Sequence, residues 1–139
     1  MSNVAFINNK YVHFKDAKIH IEDRGFQFSD SVYEVIKVIN NKLLDIDFHI
    51  RRLKYSIKEL NFNYKVNQLS LTKIFTNLVI KNNLKNGIIY LQITRGIQPR
   101  EHAYKKGLKP NIIIYTAKKK FNLPNKYFKG YKAITYPDI

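Results

Sequence analysis

The sequence predicts an α+β fold, a largely antiparallel sheet packed with two helices. Three observations predict it. Two amphipathic helical stripes follow one another in the middle of the chain, short β-branched runs bounded by Asn-rich turns flank them, and strands and helices do not alternate regularly as a parallel sheet requires.

In chain order, Val4 to Phe14 reads as a hairpin, with Asn8-Asn9-Lys10 turning one apolar run back into Tyr11-Val12-His13-Phe14. Lys18 to Ile21 alternates polar and apolar residues, as a short strand does, and Glu22-Asp23-Arg24-Gly25 reads as a charged turn. Val32 to Ile39 is rich in β-branched residues and reads as a strand, which Asn40-Asn41 turns back into Lys42-Leu43-Leu44. A helix is predicted from about Asp47 to Leu60, capped by Asp45 or Asp47. Ile46, Ile50, Leu53, Ile57 and Leu60 are spaced by four, three, four and three residues and make one stripe. A second helix runs from about Leu71 to Asn83 with Ser70 as its cap, burying Leu71, Ile74, Phe75, Leu78 and Val79. Asn86-Gly87 ends the connection. Ile88 to Thr94 and Asn111 to Thr116 are two further strands, and Lys132 to Thr135 a candidate third. From Phe121 onward periodicity fades among two prolines and a glycine, and the chain closes on a proline turn without a cap or polar tail. That reads either as an untidy terminus or as a domain cut short.

Bulk composition narrows the functional classes. The apolar content is that of a globular domain with a real core. The absence of cysteine excludes disulfides, thiolate metal sites and a cysteine nucleophile. No signal peptide or membrane-span pattern is present, which fits a cytoplasmic protein with no membrane partner. The net charge of +15 raises a basic binding module as a reading of another class. However, lysine outnumbers arginine 20 to 5 and is spread along the whole chain, whereas specific nucleic-acid sites lean on arginine forks. No specific nucleic-acid partner is expected. There is no P-loop, no GxGxxG and no nucleophile elbow, and His13, His20, His49 and His102 lack metal-ligand spacing.

Three places carry candidate chemistry. Asp23 to Glu34 brings charged and hydroxyl side chains to the entry of an apolar strand. There Tyr33 and Glu34 are adjacent and face opposite sides of the sheet. Glu34 either faces water at a strand end, the simpler reading, or is buried and needs a partner. On the first helix His49 and Arg52 share a face. Arg52 suits a phosphate or carboxylate, or is one more surface arginine on a basic helix. The stretch Thr94-Arg95-Gly96-Ile97-Gln98-Pro99-Arg100-Glu101-His102 leaves a strand with two arginines and a histidine. It is either an anion-gripping loop or an ordinary loop.

In this order and spacing, DAKIHIEDRGFQFSDSVYEVIKV, then HIRRL, then YLQITRGIQPREH resemble the class IV (fold-type IV) pyridoxal-phosphate-dependent aminotransferases, over essentially the whole chain. The first two motifs are shared with branched-chain aminotransferases and aminodeoxychorismate lyases, so a fragment of either is the alternative. Pro99-Arg100-Glu101-His102 points to the D-amino-acid branch. The resemblance implies amino transfer from a D-amino acid to a 2-oxo acid. It implies pyridoxal 5′-phosphate as cofactor, with Arg52 on its phosphate and His49 and Glu34 in the network that orients Arg52. Tyr33, Arg100 and His102 would trap the substrate carboxylate, with Arg100 and His102 reaching across a homodimer. Residues 1–120 would be the small N-terminal α/β domain, and 121–139 a linker into a cofactor-binding domain outside the chain. The Schiff-base lysine would lie a few residues beyond, so no residue here is assigned as catalytic. The chain is expected to be truncated and inactive alone, with a complementary C-terminal half as its partner. Ser29 and Ser31 stand where the family usually has glycines, and serine resists φ > 0.

Overall fold

A computed structural model describes residues 4–121 and 132–137 of the chain. Six strands form one sheet in the order β2-β1-β6-β5-β3-β4, every neighbouring pair antiparallel. They are β1 (Val4–Ile7), β2 (Lys10–His13), β3 (Ser31–Ile39), β4 (Lys42–Leu43), β5 (Gly87–Thr94) and β6 (Asn111–Lys118). Among the described residues three α-helices are interspersed: α1 (Arg24–Phe28), α2 (Ile46–Glu59) and α3 (Gln68–Lys81). The predicted fold class is the observed one.

Side-chain alternation decides which face of the sheet is covered. On β3, Val32, Glu34, Ile36 and Val38 point inward; on β5, Ile89, Leu91 and Ile93 do, with Glu34 opposite Leu91 in the register. The stripes Ile50, Leu53, Ile57 of α2 and Leu71, Phe75, Leu78 of α3 fill the space above them, so the core sits between the sheet and the two long helices. The opposite face carries Tyr33, Tyr90 and Tyr115 in a row of ring contacts across three strands.

Asparagine sets the turns and helix stops. Asn8-Asn9 and Asn40-Asn41 hold positive φ in two two-residue hairpin loops, a conformation asparagine tolerates better than most residues. Both long helices end in a Schellman motif with asparagine at the left-handed position: Asn61 after α2 and Asn83 after α3. The Phe62 and Leu84 amides donate to the carbonyls of Ile57 and Val79, and these four apolar residues are buried together at the two helix ends. Asn82 then binds both backbone groups of Val4, tying α3 to β1.

Four local expectations are corrected. Lys18 to Ile21 is irregular and pairs with no strand among the described residues. Glu22 to Gly25 is not only a turn: Asp23 caps the short helix α1 through the Gly25 amide. Ser70 lies inside the first turn of α3, and the cap is Asn67, whose Oδ1 accepts from the Ser70 amide at 3.0 Å. Lys132 to Thr135 is not a strand; it is exposed, with Ile134 90% accessible. Of the two caps offered for α2, Asp45 occupies the position, but its contribution is the backbone carbonyl and not the side chain. The stretch 121–139 falls largely outside the described residues.

Candidate functional site

Glu34 does not face water. Its parity on β3 turns it toward the helices, and its side chain is 2% exposed. Helix α2 packs on β3 and lays two side chains one turn apart over the carboxylate. Arg52 donates from Nε and Nη2 to Glu34 Oε1 and Oε2 at 2.8 and 2.6 Å, and His49 Nδ1 lies 2.7 Å from Oε2. Burial works against the charged carboxylate. The hydrogen bonds and charges of Arg52 and His49 outweigh it and hold Glu34 below the ordinary carboxylate range. The same contacts raise the pKa of Arg52. Arg52 is both an anchored and a surface arginine. Its inner edge is fixed on Glu34, its side chain is 65% exposed, and Nη1 makes no hydrogen bond among the described residues. A planar cation held at one edge leaves the other free for an oxyanion arriving from outside.

The second group is built around Asp30, just before β3. Arg24 Nε donates to Asp30 Oδ2 at 2.8 Å, and Arg95 Nε reaches both carboxylate oxygens at 3.0 and 2.8 Å. Burial again opposes the charge, and the two arginines again outweigh it, so the Asp30 pKa is lowered. Arg95 spends its remaining donors on the carbonyls of Asn61 and Leu60 at the end of α2, and its guanidinium is flanked by the rings of Phe62 and Tyr104. Arg24 spends its own on the carbonyls of Glu101 and His102, at 2.7 and 3.1 Å. Gln98, also buried, donates to the Ala103 carbonyl and accepts from the Lys105 amide.

The loop after β5 is therefore held from inside by Arg24, Arg95 and Gln98, while its side chains from Pro99 to Tyr104 are exposed. Arg100 and His102 are exposed, and both pack against the ring of Phe28, at 5.2 and 5.6 Å. The two arginines of this loop part company: Arg100 is exposed, and Arg95 is a buried strut. Close packing behind the loop is strict. A Cβ on Gly25 would lie 2.4 Å from Thr94 Cγ2, and Thr94 is pinned by its hydroxyl bond to the buried Asp23. Gly96 has φ +120, and its carbonyl accepts from the Arg24 amide.

Tyr33 lies on the other face of the sheet, 63% exposed and stacked on Tyr90 at 6.0 Å. Of the six residues singled out in the sequence, the fold brings Glu34, His49 and Arg52 into contact and sets Arg100 and His102 on one loop beside Phe28. Among the described residues, no hydrogen bond or ring contact joins Tyr33 to Arg100 or His102. From sequence, Arg24, Asp30, Gln98 and Phe28 carry no assigned role, and Arg95 stands open between an anion-gripping loop and an ordinary one. A signal for Arg95 was present: counting by twos along Ile89, Leu91 and Ile93 puts residue 95 on the inward side. Also among the described residues, no cluster of His, Cys, Asp or Glu could hold a metal ion, and no helix is long and apolar enough to cross a membrane.

The profile of the family described as amino-transferase class IV matches residues 31–138. A D-alanine aminotransferase of Bacillus licheniformis is 39% identical over 133 residues, spanning 95% of this chain and 46% of that protein. One from Staphylococcus epidermidis is 38% identical over 138 residues, spanning 96% and 48%. The chain thus spans about half the length of the curated relatives it matches. Among solved structures, a branched-chain amino acid aminotransferase from Escherichia coli superposes with a TM-score of 0.81 at 22% identity, covering 89% of this chain and 42% of that one, a likeness of fold. The chain belongs to the class IV aminotransferase family.

Proposed function

We propose that this chain is the substrate-gripping and phosphate-gripping half of a D-amino-acid aminotransferase, acting with a complementary half in the cytoplasm as part of a homodimeric enzyme. The observation that carries the reading is the Glu34–His49–Arg52 cluster. A buried carboxylate fixes one edge of an arginine whose other edge is open to solvent. That donor set fits the phosphate of pyridoxal 5′-phosphate: a planar, permanently charged fork held in one orientation, with a histidine beside it. When bound, the cofactor supplies a carbonyl that carries the amino group from donor to acceptor and a ring that delocalises the electrons released at Cα. Arg52 would hold the phosphate, Glu34 and His49 would keep Arg52 aimed, and the connection over 121–139 would lead into the part of the enzyme that holds the cofactor ring.

The substrate carboxylate would meet Tyr33, Arg100 and His102. Fixing the carboxylate decides which face of the α-carbon presents its hydrogen, and so which enantiomer reacts. Among the described residues Tyr33, exposed on the sheet face away from the helices, meets neither Arg100 nor His102 within one chain; this supports a trap that draws Tyr33 from one copy and the loop from another. The sequence relatives that bear the name D-alanine aminotransferase support the D-amino-acid branch over the branched-chain one.

The test is amino transfer from D-alanine to 2-oxoglutarate. The 139-residue chain alone is expected to show none. A mixture with the C-terminal half of a D-alanine aminotransferase is expected to show pyruvate formation that Arg52→Ala removes. Robust transamination by the chain alone, or a reconstituted activity indifferent to Arg52→Ala, would contradict the reading.

A further inference from the structure

We propose that Arg24 is a positioning residue: anchored on Asp30, its guanidinium holds the loop that carries Arg100 and His102 and thereby sets where those two side chains stand. The inference rests on the reading of that loop as the carboxylate grip, and concerns how the grip is held.

The loop from Pro99 to Tyr104 has no helix or strand of its own, and every residue in it is exposed. A loop of that kind ordinarily samples many conformations. Here Arg24, which is 4% exposed, reaches it from α1 and donates to two consecutive carbonyls, those of Glu101 and His102. These flank the side chains in question, and the ring of Phe28 on the same helix packs against Arg24, Arg100 and His102 alike. Asp30 fixes the other edge of Arg24 and is shared with Arg95, which holds the end of α2, the helix that carries His49 and Arg52. One carboxylate thus sits between the struts of both predicted anion grips. Lysine cannot replace Arg24 in this role, because a single ammonium cannot reach Asp30 on one side and two carbonyls on the other.

The experiment compares the full chain with Arg24→Lys in two readouts. The first is the rate of tryptic cleavage after Arg100, resolved by mass spectrometry at low protease. The second is the pair of imidazole Hε1 resonances of His102 and His49. Losing two charge-assisted hydrogen bonds should speed cleavage after Arg100 by at least about tenfold. It should also move His102 away from the ring-current position set by Phe28, with His49 unmoved. Unchanged cleavage and an unchanged His102 would overturn the proposal. So would equal displacement of His49 and His102, which would mark general loosening of the fold. If Arg24→Lys does not fold, the wild-type protein decides: protected Arg24 guanidinium protons with couplings through the hydrogen bonds to the Glu101 and His102 carbonyls support the proposal, and freely exchanging ones overturn it. Titrating the wild type with pyruvate tests the carboxylate reading separately. A loop held as described that ignores pyruvate leaves the positioning role standing and counts against the grip.

Discussion

Replacing Arg52 with alanine strands a carboxylate that is 2% exposed beneath α2. Two hydrogen bonds to Glu34 are lost, at 2.8 and 2.6 Å, and His49 alone remains. Charge-assisted hydrogen bonds contribute about 1.5–3 kcal/mol each. The Arg52 side chain is 65% exposed, so solvent screens the pair and water refills part of the gap, and the two bonds together contribute less than the sum of two such values. The expected cost is about 2 kcal/mol, most of it the cost of leaving a buried charge half-satisfied. Glu34→Leu should behave differently. It puts an apolar side chain on the face of β3 that carries Val32 and Ile36, opposite Leu91, and should stay within about 1 kcal/mol of wild type. With Glu34 gone, Arg52→Ala is an ordinary surface change costing under about 0.5 kcal/mol. The double-mutant cycle should therefore give a coupling of about 1.5–2 kcal/mol. Urea unfolding followed by far-ultraviolet circular dichroism is the assay, since the chain has no tryptophan. An Arg52→Ala cost that is the same in both backgrounds would refute the reasoning, and would mean that Glu34 is satisfied without the arginine.

Two other predictions follow from the same geometry. The folded pKa of Glu34 is depressed below its ordinary value of 4.5, so its pairing stabilises the protein fully above that value, and the contribution is lost as pH falls through the lower folded pKa. The stability difference between wild type and Glu34→Gln should shrink as pH falls below 4.5; a difference that widens there would contradict the linkage. Ser29 sits at φ 56, ψ 20 as the C-cap of α1. Left-handed backbone costs a non-glycine residue about 1–2 kcal/mol, and glycine returns part of that gain in chain entropy, so Ser29→Gly should stabilise by about 0.5 kcal/mol in thermal unfolding. A lower melting temperature would show that the serine side chain contributes more than its backbone costs.

The pattern of what the sequence made legible is itself physical. α2 and α3 were readable because each buries a stripe over several turns, and β3, β5 and β6 because their β-branched runs have partners on both sides. Lys18 to Ile21 has the same alternation as a strand and forms none, because pairing is a property of the neighbour. α1 was invisible as a helix: five residues give no period, and what holds it is the Asp23 cap and the buried Arg24. At Glu34 the residues favoured the wrong face. Each face of β3 carries one charged residue, Glu34 on one and Lys37 on the other, so alternation alone could not say which was covered. The His49–Arg52 spacing on α2 held the answer, but only the resemblance connected it to β3. Ser31, the second serine where the family usually has glycine, lies in extended strand and needs no positive φ; Ser29 does.

We propose that the edge of Arg52 left open by Glu34 receives the cofactor's phosphate. Pyridoxine 5′-phosphate tests it most directly, because it presents the phosphate and ring but no aldehyde to react with the 20 lysines of the chain. In a nuclear magnetic resonance titration, saturable shifts are expected at the Arg52 guanidinium and the His49 imidazole, and Arg52→Ala should abolish them. Shifts scattered over surface lysines, and unchanged by that substitution, would contradict it.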